Sequence, residues 1–193
     1  EEYLPLIRGN ELALVVNHTS VVGDRHLVDT LLTHDLEGLN IKKVFVPEHG
    51  LRGNFDAGQH VANGTDPETG LPVISLYGEH RKPLPEDMEG VEMVLFDIQD
   101  VGTRFYTYIS TLHYVMEACA ENNVPMVVLD RPNPNGGYVD GPVLDQEFTS
   151  FVGMHPIPVV YGLTIGELAR MINGEGWLSG GIQCELTVIP CAN

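Results

Sequence analysis

Apolar runs with strand character alternate along this chain with stretches of helical spacing. Glu11 to Asn17 (ELALVVN) predicts a buried strand, and after the turn at Val22-Gly23-Asp24 the segment His26 to His34 carries apolar residues at helical intervals. A second strand is predicted over Ile41 to Val46, stopped by Pro47, which has no N–H to give a sheet ladder. Val73 to Tyr77 predicts a short strand, Lys82-Pro83-Leu84-Pro85 a turn that opens a helix at Glu86, and Val91 to Ile98 the strongest strand. Tyr106 to Asn122 predicts a long helix with Ile109, Leu112, His113, Met116 and Ala120 near one face. Val124 to Leu129 follows as a strand, Thr164 and Glu167 form a capping box for a helix over Ile165 to Asn173, and Leu186 to Ile189 is a last strand.

The order β-α-β-β-α-β-α-β predicts an α/β fold, a Rossmann-like open and mostly parallel sheet with helices on both faces. Residues 1–180 are expected to form this lobe, and residues 181–193 a linker or the start of another. The glycine-punctuated loop Gly50 to Gly70 is long for a compact domain, which marks it as functional or mobile. Neither GxGxxG nor GxxxxGK[ST] occurs, so the fold is expected to serve something other than a nucleotide, and no cofactor is expected.

Charge narrows the partners. Twenty-seven acidic against 10 basic residues give a formal net charge of −17, which repels nucleic acid and anionic membrane surfaces. No apolar run reaches the length of a membrane span. Residues 1–4 lack a signal-peptide pattern, as they would in a processed exported protein. Three cysteines, Cys119, Cys184 and Cys191, show no CxxC spacing; Cys119 reads as an inert core thiol, and the pairing of the other two stays open.

Candidate chemistry collects at the predicted strand ends: Asn17-His18, Glu48-His49, Asp97-Ile98-Gln99-Asp100 and Asp130-Arg131. Parallel α/β sheets bind ligands outside the carboxyl ends of their strands, so these segments are expected to line one site. Glu48 follows a buried strand and a proline, a partly sheltered setting for a general acid. With Asp97 or Asp100 it supplies the two carboxylates of glycoside hydrolysis, although Asp97 alternates with Phe96 and Ile98 and equally well ties a loop. Arg104, beside Asp100, and Arg131, beside Asp130, are the favoured cations, with Arg52, Arg81 and Lys82 as other basic groups near strand ends. Phe105, Tyr106 and Tyr108 offer faces on which a sugar ring can stack or, equally, core-facing rings. His18, Glu48, His49, Asp97, Asp100 and Asp130 are also metal-ligand types, but without HExxH, HxH or DxD spacing.

The strings Pro47-Glu48-His49-Gly50-Leu51-Arg52-Gly53, Ser75-Leu76-Tyr77-Gly78, Phe96-Asp97-Ile98-Gln99-Asp100-Val101-Gly102-Thr103-Arg104-Phe105-Tyr106-Thr107-Tyr108 and Leu129-Asp130-Arg131-Pro132-Asn133-Pro134 resemble the NamZ-type exo-β-N-acetylmuramidases, a bacterial family long carried as a domain of unknown function. Gly141-Pro142-Val143-Leu144 and Gly162-Leu163-Thr164-Ile165-Gly166-Glu167-Leu168 extend the likeness over nearly the whole chain. The resemblance implies an exo-glycosidase releasing terminal β-linked N-acetylmuramic acid from peptidoglycan fragments during cell-wall recycling, in a periplasmic or secreted setting. It implies a Rossmann-like lobe joined to a second lobe, with this chain ending where the second begins. Glu48 falls on the family's proposed catalytic glutamate, and Asp100 is expected to join it. Asn17, His49, Arg52, Tyr77, Asp97, Gln99, Arg104, Tyr106, Asp130, Arg131 and Asn133 are expected to bind muramic acid glycans, an arginine holding the lactyl carboxylate and the Gly50 to Gly70 loop closing one end of the cleft. A non-catalytic sugar-binding lobe and a metal-dependent hydrolase are the alternatives.

Overall fold

The computed structural model describes residues 3–33, 38–53 and 63–191. A short helix α1 (Leu4–Ile7) precedes β1 (Glu11–Val16), and β2 (Val21–Val22) with β3 (Arg25–His26) makes a small antiparallel ladder ahead of α2 (Leu27–Thr33). The strands β4 (Asn40–Val46), β5 (Gly64–Thr65), β6 (Pro72–Ser75) and β7 (Met93–Asp97) follow; α3 (Tyr108–Asn122), β8 (Met126–Leu129), α4 (Ile165–Gly174) and β9 (Leu186–Ile189) complete the order. The helix expected at Glu86 is a single 3-10 turn, Pro85–Met88.

Seven strands form one sheet in the order β5-β6-β4-β1-β7-β8-β9. All neighbours pair parallel except the edge pair β5 and β6. Counted among the parallel strands, the spatial order is third, second, first, fourth, fifth, sixth, which is the doubly wound arrangement with its switch point between β1 and β7. Right-handed crossovers that run in opposite directions from β1 must cover opposite faces. Accordingly α2 packs on one face, while α3 and α4 pack on the other.

Alternation within β1 shows the two cores directly. Ala13 and Val15 join Phe45, Val94, Phe96 and the helices α3 and α4; Leu12, Leu14 and Val16 join Val44, Leu95 and α2. A central strand covered on both faces has to read as an unbroken apolar run, as ELALVV does. The chain leaves α3 at Asn123, in a left-handed conformation (φ 54°), and α4 begins in the expected capping box, with Thr164 Oγ1 accepting from Glu167 N and Thr164 N donating to Glu167 Oε2.

The boundary expected near residue 180 precedes β9, which pairs with β8 along its whole length, so the sheet of this lobe runs through Ile189. All three cysteines are free thiols. The neighbour of Cys184 is Cys119, which it hydrogen-bonds; that contact and complete burial push the Cys119 thiol well up and keep it protonated. Among the described residues no helix is long and apolar enough to cross a membrane.

Candidate active site

Nucleotide-binding relatives of this topology keep a glycine turn at the switch point. Here the protein's own side chains fill that place. Asn17 and Ser20 are fully buried; Ser20 Oγ accepts from Asn17 N and donates to the Asp97 carbonyl, and Gln99 N donates to Thr19 Oγ1 at 3.0 Å. The ends of β1 and β7 are thus laced together by side-chain hydrogen bonds.

The open space lies to one side, over the carboxyl ends of β4 and β6 and the start of α3. It is a cleft of about 750 Å³. Glu48 and His49 enter it from the end of β4, and Tyr77, Gly78 and Arg81 from the segment after β6. These two segments meet because Val46 pairs with Ser75 and Leu76 N donates to the Val46 carbonyl at 2.7 Å. Phe105 to Tyr108 supply a second wall, and Ser150, Phe151 and Val152 a third.

Glu48 is held on a tight turn in which Gly50 N donates to the Pro47 carbonyl, with His49 at φ 74°. Left-handed backbone at a residue other than glycine is costly, and such strain gathers at functional sites. Across the cleft floor the Tyr77 hydroxyl hydrogen-bonds the Glu48 carboxylate, which pushes the Tyr77 phenol up. Tyr108 is also pushed up, by burial first and then by the Glu48 charge, against the opposing effect of the Asn17 amide beside its hydroxyl. Both phenols therefore stay protonated near one carboxylate, and Tyr77 is the one that donates to it. His18 packs edge-on against His49 with ring centroids 6.0 Å apart; burial and the nearby imidazoles of His49 and His26 disfavour its protonated form.

Of the residues expected in the site, Glu48, His49, Tyr77 and Tyr106 line this cleft. The others lie elsewhere and have structural partners. Asp100 is buried in its own loop, where its Oδ2 accepts from the Tyr161 hydroxyl and from Gly102 N. Burial pushes its carboxyl up, opposed by those donors. Asp97 forms a two-pronged pair with Arg131, and Asp130 holds the first turn of α4 through Thr164 Oγ1 and Gly166 N. Arg52 is shared between Asp29 and Asp66, and Arg104 donates to the Pro142 and Ile157 carbonyls. Gln99 Nε2 donates to the Asp100 and Pro132 carbonyls. Asn133 bridges Leu163 O and Asn135 N, pressed so close to Gly102 (φ 75°) that a Cβ there would meet its Oδ1 at 2.0 Å. Asn17 is fully buried, its amide beside the Tyr108 hydroxyl. Residues 54–62 of the expected closing loop lie outside the described residues.

The guanidinium in the cleft is that of Arg81, not of Arg104 or Arg131. Arg131 is held by Asp97 at the ends of β7 and β8, and Arg104 by the carbonyls of Pro142 and Ile157. Among the described residues no group of three or more His, Cys, Asp or Glu side chains is placed to hold a metal ion.

Fold and site together define a doubly wound α/β lobe whose switch point is laced by side-chain hydrogen bonds and whose cleft carries a carboxylate, phenols, aromatic walls and an arginine. The family model for the N-terminal domain of the exo-β-N-acetylmuramidase NamZ matches residues 12–193. The chain belongs to that family. It is 46% identical over 190 residues to the peptidoglycan β-N-acetylmuramidase NamZ of Bacillus subtilis (strain 168), an alignment covering 97% of this chain and 44% of that protein. Two crystal structures of DUF1343-family proteins from Bacteroides fragilis NCTC 9343 superpose with TM-scores of 0.87 and 0.88 at 46% and 42% identity, covering 100% and 98% of this chain and 50% and 47% of theirs. The chain thus spans about half the length of the relatives it matches.

Proposed function

We propose that this chain is the acid-bearing lobe of an exo-acting β-N-acetylmuramidase, which releases N-acetylmuramic acid from the non-reducing ends of peptidoglycan fragments outside the cytoplasm, in cell-wall turnover. The observation that carries this reading is the Glu48–Tyr77 contact in a cleft walled by Phe105, Tyr106 and Phe151. Membership of a family whose Bacillus subtilis member is a peptidoglycan β-N-acetylmuramidase supports the substrate class.

In this reading Glu48 protonates the glycosidic oxygen as the bond breaks, and the Tyr77 hydroxyl holds its carboxyl group in place. The aromatic walls take the apolar face of the sugar. Glu48 is the carboxylate that lines the cleft among the described residues, so Asp100, enclosed by Tyr161 and Gly102, is not assigned the partner role. Phe105, Tyr106 and Val152 at the rim are about half exposed or more, as are Val143 and Phe148 nearby in sequence; an apolar rim of that kind suits a second lobe closing over the cleft.

The test is hydrolysis of a chromogenic β-N-acetylmuramic acid glycoside by the full-length protein and its Glu48→Gln variant, with the N-acetylglucosamine analogue as control. Release confined to the muramic substrate, lost by roughly 10²–10⁴-fold in the variant with unchanged folding, is expected. Full activity in Glu48→Gln removes that residue from catalysis, and silence of the wild type on both glycosides favours a sugar-binding lobe.

A further inference from the structure

Ten basic side chains serve a protein of net charge −17, and the described residues account for how most of them are used. Arg52 and Arg131 are locked to carboxylates, Lys82 bridges Glu117 and Glu121, and Arg104 is spent on backbone carbonyls. Arg81 differs from these. Its Nε donates to the Gly78 carbonyl at 2.8 Å, and its guanidinium carbon lies 4.6 Å from the centre of the Phe151 ring. No carboxylate among the described residues pairs with it, and it lines the cleft that holds Glu48.

The guanidinium is oriented by what surrounds it. Phe151 is itself fixed, stacked on Tyr114 with ring centroids 6.0 Å apart and planes 12° from parallel, while Ser110 Oγ donates to its carbonyl at 2.7 Å. One ring face and one backbone carbonyl therefore take up the side and one edge of Arg81. The two terminal nitrogens remain, in the side-by-side geometry that matches a carboxylate. A second link ties Arg81 to the acid: its charge is felt at the Tyr77 hydroxyl, the group that hydrogen-bonds Glu48. An anionic ligand meets an unfavourable long-range field from this protein, so a local cation with fixed geometry is needed to admit it.

We infer that Arg81, set on the Phe151 ring, is the carboxylate-recognising residue of the cleft and makes this lobe prefer a sugar bearing a lactyl acid over its uncharged counterpart. The inference rests on the glycosidase reading and adds its specificity determinant. N-acetylmuramic and N-acetylglucosamine glycosides share the ring, the acetamido group and the glycosidic bond, and differ in the 3-O-lactyl acid. Glu48 acts on what the two share, and Arg81 on what separates them.

The experiment compares kcat/KM of the full-length protein on two chromogenic glycosides, one of N-acetylmuramic acid and one of its lactyl carboxamide, in wild type, Arg81→Met and Arg81→Lys. Wild type should prefer the acid, and in Arg81→Met that preference should collapse toward unity, a loss of about 10- to 100-fold, with Arg81→Lys in between because it keeps the charge without the fork. A preference untouched in Arg81→Met overturns the inference while leaving the glycosidase reading intact. If wild type cleaves neither glycoside, that reading fails, and calorimetric titration with N-acetylmuramic acid decides the role of Arg81 alone: equal affinity of wild type and Arg81→Met overturns it, and binding weakened only in the variant supports it.

Discussion

Arg131 and Asp97 meet in a forked ion pair, Nε to Oδ1 at 2.6 Å and the second terminal nitrogen to Oδ2 at 2.7 Å. Asp97 is the last residue of β7 and is 1% exposed, while Arg131 stands two residues past the end of β8. The pair therefore staples two neighbouring strand ends on the side of the sheet away from the Glu48 cleft. Replacing Arg131 by Met strands a buried carboxylate, and unfolding in urea should show a loss of about 3 kcal/mol. The double variant with Asp97→Asn should recover a good part of it, because no unpaired charge is left behind. Equal losses in single and double variants would count against the staple.

The Tyr77 hydroxyl is a donor to Glu48. Tyr77→Phe removes it without changing the ring, so sugar binding should persist while kcat on the muramic glycoside falls about tenfold. A rise in KM with kcat unchanged would place Tyr77 in substrate contact rather than beside the acid.

Asp100 carries a different liability. Burial pushes its carboxyl up, and the Tyr161 hydroxyl is the largest of the effects that oppose this. A carboxyl whose folded value is raised contributes stability below its unfolded value of about 4, and that contribution is lost as pH rises through the folded value. Tyr161→Phe widens the gap. It should cost about 1–3 kcal/mol at pH 7, shrinking as the solution is acidified toward pH 4 and Asp100 takes up a proton. Denaturant titrations at the two pH values check this, and a pH-independent loss would mean that only the packing of Tyr161 matters.

Most of the sheet is legible in the sequence because its central strands are covered on both faces. β1, β7 and β8 appear as unbroken apolar runs, and the Thr164 capping box announces α4. What stayed hidden is short or depends on pairing. Gly64–Thr65 is a strand only because β6 lies beside it, and Val21–Val22 with Arg25–His26 only as a two-rung ladder. The site follows the same rule. Glu48 is visible because a proline ends its strand, whereas Arg81 sits in a segment with no periodic signal and reaches the cleft through the adjacency of β4 and β6. Arg131 stands next to Asp130 in sequence, but the carboxylate that consumes it is Asp97, brought beside it by the pairing of β7 and β8.

The wall that carries Phe151 rests on a buried histidine pair. His113 Nδ1 and His155 Nε2 are 3.1 Å apart, with Glu117 3.7 Å from the other side of His113, Lys82 bonded to Glu117, and Trp177 stacked on His155. Burial pushes both imidazoles down, His155 to about 3. A histidine with a lowered folded value is neutral in both states at high pH; its stabilising contribution is present above about 6.5, the unfolded value, and is lost as pH falls toward the folded value. Stability should therefore decline between about pH 6.5 and 4.5 with a slope of up to ~1.4 kcal/mol per pH unit for His155, before Asp29, Asp66 and Glu117, whose folded values are lowered, begin to contribute below about 4.5. Asp100 acts in the opposite direction over its own range. His155→Gln keeps a polar side chain but removes the titration, so the slope in that window should flatten even though the variant is less stable at pH 7. Urea unfolding of wild type and variant at half-unit steps from pH 7 to 4.5 measures it, and an unchanged slope would assign the acid sensitivity to another group.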